Sequence, residues 1–95
     1  MLSSKERARL SALANKLSPV LHLGKAGAAG IREALSKALA DHELVKLRFV
    51  DFKGEKDAIA RELAEGAGAE LVRIIGHVAI IYKSSPDPEK RKIEL

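Results

Sequence analysis

The 95-residue sequence predicts an α/β fold of the two-layer α+β kind, with three helices and a four-stranded mixed sheet. Three stretches with apolar residues at helical spacing alternate with short apolar runs that are typical of strands. The last two of these runs are separated only by Gly76-His77, which is typical of a tight type II′ hairpin. The predicted order is helix, strand, helix, strand, helix, strand, strand, in one domain over residues 1–95.

The first helix is predicted over residues 4–17. Ser3 and Glu6 have the spacing of a capping box, in which each side chain accepts a hydrogen bond from the backbone N–H of the other. Leucines at helical spacing follow, and Pro19 prevents the helix from continuing. Residues 20–23 then form a short apolar strand.

A glycine-rich loop, Gly24-Lys25-Ala26-Gly27, joins this strand to the second helix. Glycines allow positive φ and close approach of another backbone. The free N–H groups at a helix start attract phosphates, and Lys25 adds a full positive charge beside them. Four residues of this kind also occur as a simple turn. The position of the loop, between a strand and a helix in the basic half of the chain, favours phosphate binding.

The remaining elements follow from periodicity in the same way. Strands joined through helices can be parallel neighbours, whereas the last strand must run antiparallel to the one before it. In the second strand, Lys46 and Arg48 alternate with apolar residues, so one of its faces is partly cationic. The predicted ranges are helix 28–41, strand 44–50, helix 55–66, strand 71–75 and strand 78–82.

The formal net charge is +4, and its distribution is uneven. Residues 1–50 carry a net charge of +5 and residues 51–95 a net charge of −1. A basic field favours a polyanionic partner, although an ordinary solvated surface also carries such charges. Only three aromatic residues are present, so a sheet that stacks unpaired bases on aromatic rings is not expected. The candidate site residues are Gly24, Lys25, Ala26, Gly27, Arg32, Lys46 and Arg48, provided that the cations face the same side.

Several classes of function are not expected from this sequence. It contains no cysteine, no apolar run long enough to span a membrane and no signal peptide, which suits a cytoplasmic protein. The three histidines lack metal-binding spacing, and the glycine loop lacks the Gly-Lys-Ser/Thr of a P-loop. The pair His42-Glu43 suggests acid–base chemistry or, more simply, a histidine that interacts with a helix dipole. We therefore expect no metal, no cofactor and no enzymatic activity.

The combination of motifs resembles the YhbY family, a stand-alone form of the CRM domain, which is named for chloroplast RNA splicing and ribosome maturation. The resemblance covers nearly the whole chain. It departs from the family after Tyr82, where residues 84–88 look longer and less basic. The residues that carry the resemblance are the Gly24-Lys25-Ala26-Gly27 loop between strand and helix, the run 42–48, Ile75-Gly76 and the run 80–83.

This resemblance implies a fold similar to the C-terminal domain of translation initiation factor three. It also implies an RNA-binding domain that associates with precursors of the large ribosomal subunit and whose Gly-x-x-Gly loop meets the RNA backbone. The leading hypothesis is a monomeric, non-catalytic protein that binds ribosomal RNA, with no membrane or small-molecule partner. The alternative is a protein-interaction domain without direct RNA contact. Residues 84–95 are expected to form a partly flexible tail.

Overall fold

The computed structural model describes residues 2–16, 20–24, 28–51, 53–84, 89 and 93. The order of its helices and strands is the predicted one. The first helix ends before Asn15, and residue 17, the last of its predicted range, lies outside the described residues. The elements are α1 (Ser4–Ala14), β1 (Val20–Leu23), α2 (Ala28–His42), β2 (Leu44–Phe49), a 3₁₀ turn (Lys53–Glu55), α3 (Lys56–Gly66), β3 (Glu70–Ile75) and β4 (Val78–Tyr82).

The four strands form one mixed sheet in the order β1-β2-β4-β3. β1 is parallel to β2, whereas β4 is antiparallel to both of its neighbours, β2 and β3. The mixed sheet is therefore confirmed. β4 lies between β2 and β3, so these two strands are not neighbours although a helix joins them. The sequence left this arrangement open.

The expected two-layer arrangement is wrong, because the helices lie on both faces of the sheet. α2 and α3 pack on one face and α1 packs on the other, which gives three layers. The physical reason lies in β4, where four consecutive residues, from Ala79 to Tyr82, are buried. Successive side chains of a strand point to opposite faces, so a strand buried at every position needs cover on both sides.

The sheet thus separates two apolar cores. The larger core lies between the sheet and the α2–α3 layer, and the smaller one lies under α1. Buried residues of the larger core are Leu23, Leu35, Leu39, Val45, Leu47, Phe49, Ala60, Leu63, Ala64, Ala79 and Ile81. Buried residues of the smaller core are Leu10, Ala14, Leu44, Val72, Ile80 and Tyr82, with Leu2, Leu13 and Ile93 packed against them.

The start of α1 has the predicted capping box. The Ser3 backbone N–H donates to Glu6 Oε1 at 2.9 Å, and the Glu6 backbone N–H donates to Ser3 Oγ at 3.1 Å. The hydrogen bond from the Ser3 backbone lowers the pKa of the Glu6 carboxyl, and the bond involving the Ser3 side chain lowers it further. The capping box therefore favours the ionised form of Glu6.

The β3–β4 hairpin turns at Gly76-His77, as predicted. Gly76 has a φ of +58°, and His77 does not have a positive φ. This combination is that of a type II′ turn, in which only the first central residue needs a positive φ. Phe49 of β2 also donates its backbone N–H to the His77 carbonyl at 2.8 Å, so the hairpin turn is attached to the end of β2.

The connection between α2 and β2 passes through Glu43, which is 1% exposed and has a φ of +61°. Its carboxylate Oε1 accepts a hydrogen bond from the Ile93 backbone N–H at 3.0 Å, and its carbonyl accepts one from the Lys83 N–H at 2.8 Å. Glu43 thereby connects the end of α2 to the segment that follows β4. Within the predicted tail, only Ser84, Glu89 and Ile93 are described, and Ile93 is half-buried.

Candidate nucleic-acid interface

The α1 side of the sheet is only partly covered, which leaves an exposed area at one end. The strand register pairs His22 with Arg48, Arg48 with Val78 and Val78 with Ile75. Residues paired in this way project from the same face, and Lys46 joins them because it lies two positions before Arg48. We call His22, Lys46, Arg48, Ile75 and Val78 the open face.

The open face is cationic. Arg48 is exposed and Lys46 is half-exposed. Neither side chain has a hydrogen bond or an ion pair with any other residue in the described part of the chain. The two side chains border a cavity of about 190 Å³, and no carboxylate lies among its described lining residues, which are Asn15, Lys46, Arg48, Ile75, Val78 and Ile80.

The glycine-rich loop begins at the same end of the sheet. The Leu23 carbonyl, just before Gly24, accepts hydrogen bonds from the backbone N–H groups of Val50 at 2.9 Å and Asp51 at 3.1 Å. Gly24 therefore lies beside the end of β2, close to Arg48 in the strand register. It does not have a positive φ, and a Cβ there would meet nothing within 4 Å. Lys25, Ala26 and Gly27 lie outside the described residues.

Arg32 lies elsewhere. It belongs to α2, on the opposite face of the sheet from Lys46 and Arg48, and its guanidinium donates to Glu62 Oε1 of α3. Both side chains are well exposed, at 60% and 66%, so the ion pair contributes little to stability. It still offsets the charge of Arg32. The condition that the predicted cations face the same side thus holds for Lys46 and Arg48 and does not extend to Arg32.

Other cations are used to hold the fold together. Arg7 Nη1 donates to the carbonyls of Leu71 at 2.7 Å and Val72 at 2.8 Å. Lys56 and Lys83 each donate to a backbone carbonyl, those of Gly76 and Ala67 respectively. The partners of Arg7, Lys56 and Lys83 are backbone carbonyls that lie far away in the sequence. The number of charges in the sequence therefore does not distinguish these three cations from Lys46 and Arg48.

The sequence analysis did not identify Asn15, Ile75 or Val78 as site residues. Asn15 caps α1, and the other two flank the hairpin turn. The alternation of residues along β3 and β4 assigns Ile75 and Val78 to one face of their hairpin. Only the strand order, with β4 beside β2, shows that Arg48 lies on the same face of the sheet.

The histidines do not form a common site in the described structure. His22 belongs to the open face, His42 ends α2 and His77 lies in the hairpin turn, all of them exposed. Glu43, beside His42, is buried, so the two side chains do not face solvent together. Among the described residues no group of three side chains could hold a metal ion. None of the described helices is long and apolar enough to cross a bilayer.

The fold and the open face together define a three-layer α/β domain with a cationic sheet surface beside a strand–loop–helix junction. The chain belongs to the CRS1 / YhbY (CRM) domain family, which matches residues 2–83. The resemblance seen in the sequence is thereby confirmed.

Similar proteins extend over nearly the whole chain. The RNA-binding protein of Haemophilus influenzae is 34% identical over 96 aligned positions, covering 99% of this chain and 94% of the relative. Probable RNA-binding protein YqeI of Bacillus subtilis is 31% identical over 97 positions, covering 100% and 99%. The solution structure of the hypothetical protein SAV1595 from Staphylococcus aureus has a TM-score of 0.79 and 26% identity, covering 99% of this chain and 100% of that one.

Proposed function

We propose that this protein is a non-catalytic RNA-binding protein that contacts the RNA backbone through its open face. The observation that carries the proposal is the pair of cations Lys46 and Arg48. Among the described residues, they have no hydrogen-bond or ion-pair partner and their cavity is lined by no carboxylate. Cations of this kind attract phosphates, which dominate the affinity of proteins for nucleic acids. The names of the relatives as RNA-binding proteins support the same conclusion.

The Gly24-Lys25-Ala26-Gly27 loop is the second part of the proposed interface. Its first residue, Gly24, follows β1 beside the end of β2. In sequence the loop precedes α2, and the first backbone N–H groups of a helix are not all used within the helix. A phosphate bound there would lie near the end of the sheet that carries Arg48. Consecutive phosphates of one strand would then contact the loop and the open face.

The proposed ligand is ribosomal RNA of large-subunit precursors, bound by a monomer acting in ribosome assembly in the cytoplasm. This part of the proposal rests on the family resemblance. Sedimentation of a cell lysate through a density gradient tests it, because the protein is expected to travel with large-subunit precursors. Sequencing of RNA crosslinked to the protein in cells would identify the bound segment. Crosslinks spread evenly over messenger and transfer RNA would contradict the proposal.

A salt titration with charge-removing variants tests the backbone contacts. Each phosphate contact contributes about −0.7 to the slope of log affinity against log salt on single-stranded RNA. Arg48→Gln and Lys46→Gln should each weaken binding and reduce the slope by roughly this amount. The matched control is Lys37→Gln, which removes the same charge from an exposed position on α2, on the other side of the sheet. Equal effects of all three variants would contradict the proposed interface.

The alternative function, protein binding without RNA contact, has one supporting observation. A groove of about 340 Å³ lies between the edge strand β1 and α2, and Leu21, Ala38 and Val45 are among its lining residues. An apolar interface depends little on salt, whereas phosphate binding weakens steeply. If a partner protein is retained at high salt and no RNA binds at low salt, the alternative is correct.

A further inference from the structure

We propose that the cavity of the open face holds one unpaired base of the bound RNA. This inference rests on the proposed function and adds a base-binding site to its phosphate contacts. The cavity lies between the end of α1 and the sheet, and its described lining combines aliphatic side chains, which we call the floor, with polar ones.

The floor consists of the three aliphatic side chains among the described lining residues. Ile75 is 48% exposed, Val78 is half-buried and Ile80 is 2% exposed. A single exposed isoleucine needs no explanation, but here it adjoins two further aliphatic residues in the same cavity. The aliphatic residues line the same cavity as Lys46 and Arg48, two cations without a partner among the described residues. A ligand that fits this cavity would therefore combine an apolar face with an adjacent negative charge. A nucleotide has this combination.

The size of the cavity limits the ligand further. A volume of about 190 Å³ is below the roughly 300–1,000 Å³ that sites for drug-sized molecules occupy. It suits one planar base better than a helix or a run of side chains from a partner protein. In double-stranded RNA the bases are stacked and paired, so only an unpaired base can place its face on the floor.

The polar groups are suited to the remaining parts of a nucleotide. The amide of Asn15 provides both a donor and an acceptor for the edge of a base. The planar guanidinium of Arg48 can stack on a base or bind a phosphate, and Lys46 can bind the next phosphate. The site thus uses aliphatic side chains and an arginine where other RNA-binding sheets use aromatic rings.

The experiment compares two RNA probes, a single-stranded decamer and a blunt-ended duplex that has no unpaired bases. Ile75→Ala should weaken binding of the decamer about fivefold and leave binding of the duplex unchanged. Ile75→Tyr should tighten binding of the decamer about fivefold, because an aromatic ring in this exposed strand position adds base stacking. The matched control is Val50→Ala, since Val50 is equally exposed at 51% but does not line the cavity.

Thermal melting of each variant establishes that the fold is intact, as expected for an exposed position. If both Ile75 variants bind the decamer with wild-type affinity while Arg48→Gln lowers that affinity, the proposed base site is wrong. This result would leave the proposed phosphate contacts unaffected. If the wild type binds neither probe at low salt, the proposed function itself is wrong. A photoreactive uridine in the decamer should also crosslink to Asn15, Ile75 or Val78, and crosslinks confined to α2 and α3 would overturn the base site.

Discussion

Arg7 Nη1 donates a hydrogen bond to the backbone carbonyl of Leu71 at 2.7 Å, which ties α1 to the edge strand of the sheet. The same nitrogen donates to the Val72 carbonyl, at the point where the β3–β4 register shifts. An irregularity in a strand leaves backbone groups without their usual partners, and an edge strand can pair with other chains. Arg7 satisfies these carbonyls and covers this part of the edge.

Replacement of Arg7 by methionine should therefore lower the free energy of unfolding by about 1–3 kcal/mol, because hydrogen bonds from a charged donor to partly buried carbonyls are lost. The measurement is chemical denaturation. Arg9→Met is the matched control, since Arg9 is exposed on the same helix and has no partner among the described residues. It should change stability by less than about 0.5 kcal/mol. An equal loss of stability in the two variants would mean that the loss comes from the removed charge or from helix propensity, and not from the hydrogen bonds of Arg7.

Two glycines provide a test of the hairpin geometry. A Cβ at Gly76 or at Gly66 would meet nothing within 4 Å, but only Gly76 has a positive φ. Gly76→Ala should destabilise the protein by about 1–2 kcal/mol through backbone strain alone. Gly66→Ala, at the end of α3, should stabilise it by about 0.5–1 kcal/mol. Thermal melting checks both, and the same sign of effect for both variants would contradict the turn assignment.

The strained backbone at Glu43 can be separated from its buried carboxylate. Glu43→Ala and Glu43→Gly both remove the hydrogen bond to Ile93, but only alanine keeps a side chain at positive φ. We expect the glycine variant to be more stable than the alanine variant by about 1 kcal/mol. In both, the Ile93 amide should exchange its hydrogen faster than in the wild type. An unchanged exchange rate would show that the carboxylate does not hold this segment.

The capping box should weaken in acid. The folded state lowers the pKa of Glu6, so its contribution to stability is present above the unfolded value, for which 4.5 is the reference, and is lost as the pH falls through the folded value. Glu6→Gln keeps a side-chain acceptor and does not titrate. The stability advantage of the wild type over this variant should shrink between about pH 6 and pH 3. A constant difference over this range would contradict the role of the ionised carboxylate.

Arg32 and Arg48 should differ in their effect on RNA binding. Arg32 pairs with Glu62 on the far side of the sheet from Arg48, whose guanidinium has no partner in the described structure. Arg48→Gln should reduce the salt slope by about 0.7, and Arg32→Gln should change it by less. Glu62→Gln is the complementary variant, because it releases Arg32 and should tighten binding slightly if RNA reaches α2. If Arg32→Gln reduced the salt slope more than Arg48→Gln, the RNA interface would lie on the α2 side of the sheet.

Much of the fold was predictable because its signals are local. The Ser3–Glu6 cap, the helical spacing of α2 and α3, and the two-residue turn at Gly76 each depend on neighbours within a few residues. The candidate site was predictable in part, since the alternation of β2 placed Lys46 and Arg48 on one face. The alternation did not reveal that α1 covers part of that face and leaves the area around Arg48 exposed.

The sequence by itself determined the elements, their order and the family. Only the tertiary structure decided how the charges are used. The insertion of β4 between β2 and β3 puts Ile75 and Val78 beside Arg48, and the position of α1 leaves this area open. Arg7, Arg32 and Arg48 are chemically identical side chains, but one bonds to strand carbonyls, one pairs with a carboxylate and one has no partner among the described residues. Hydrogen bonds and ion pairs act over a few ångströms, and these distances are set by packing between segments distant in sequence.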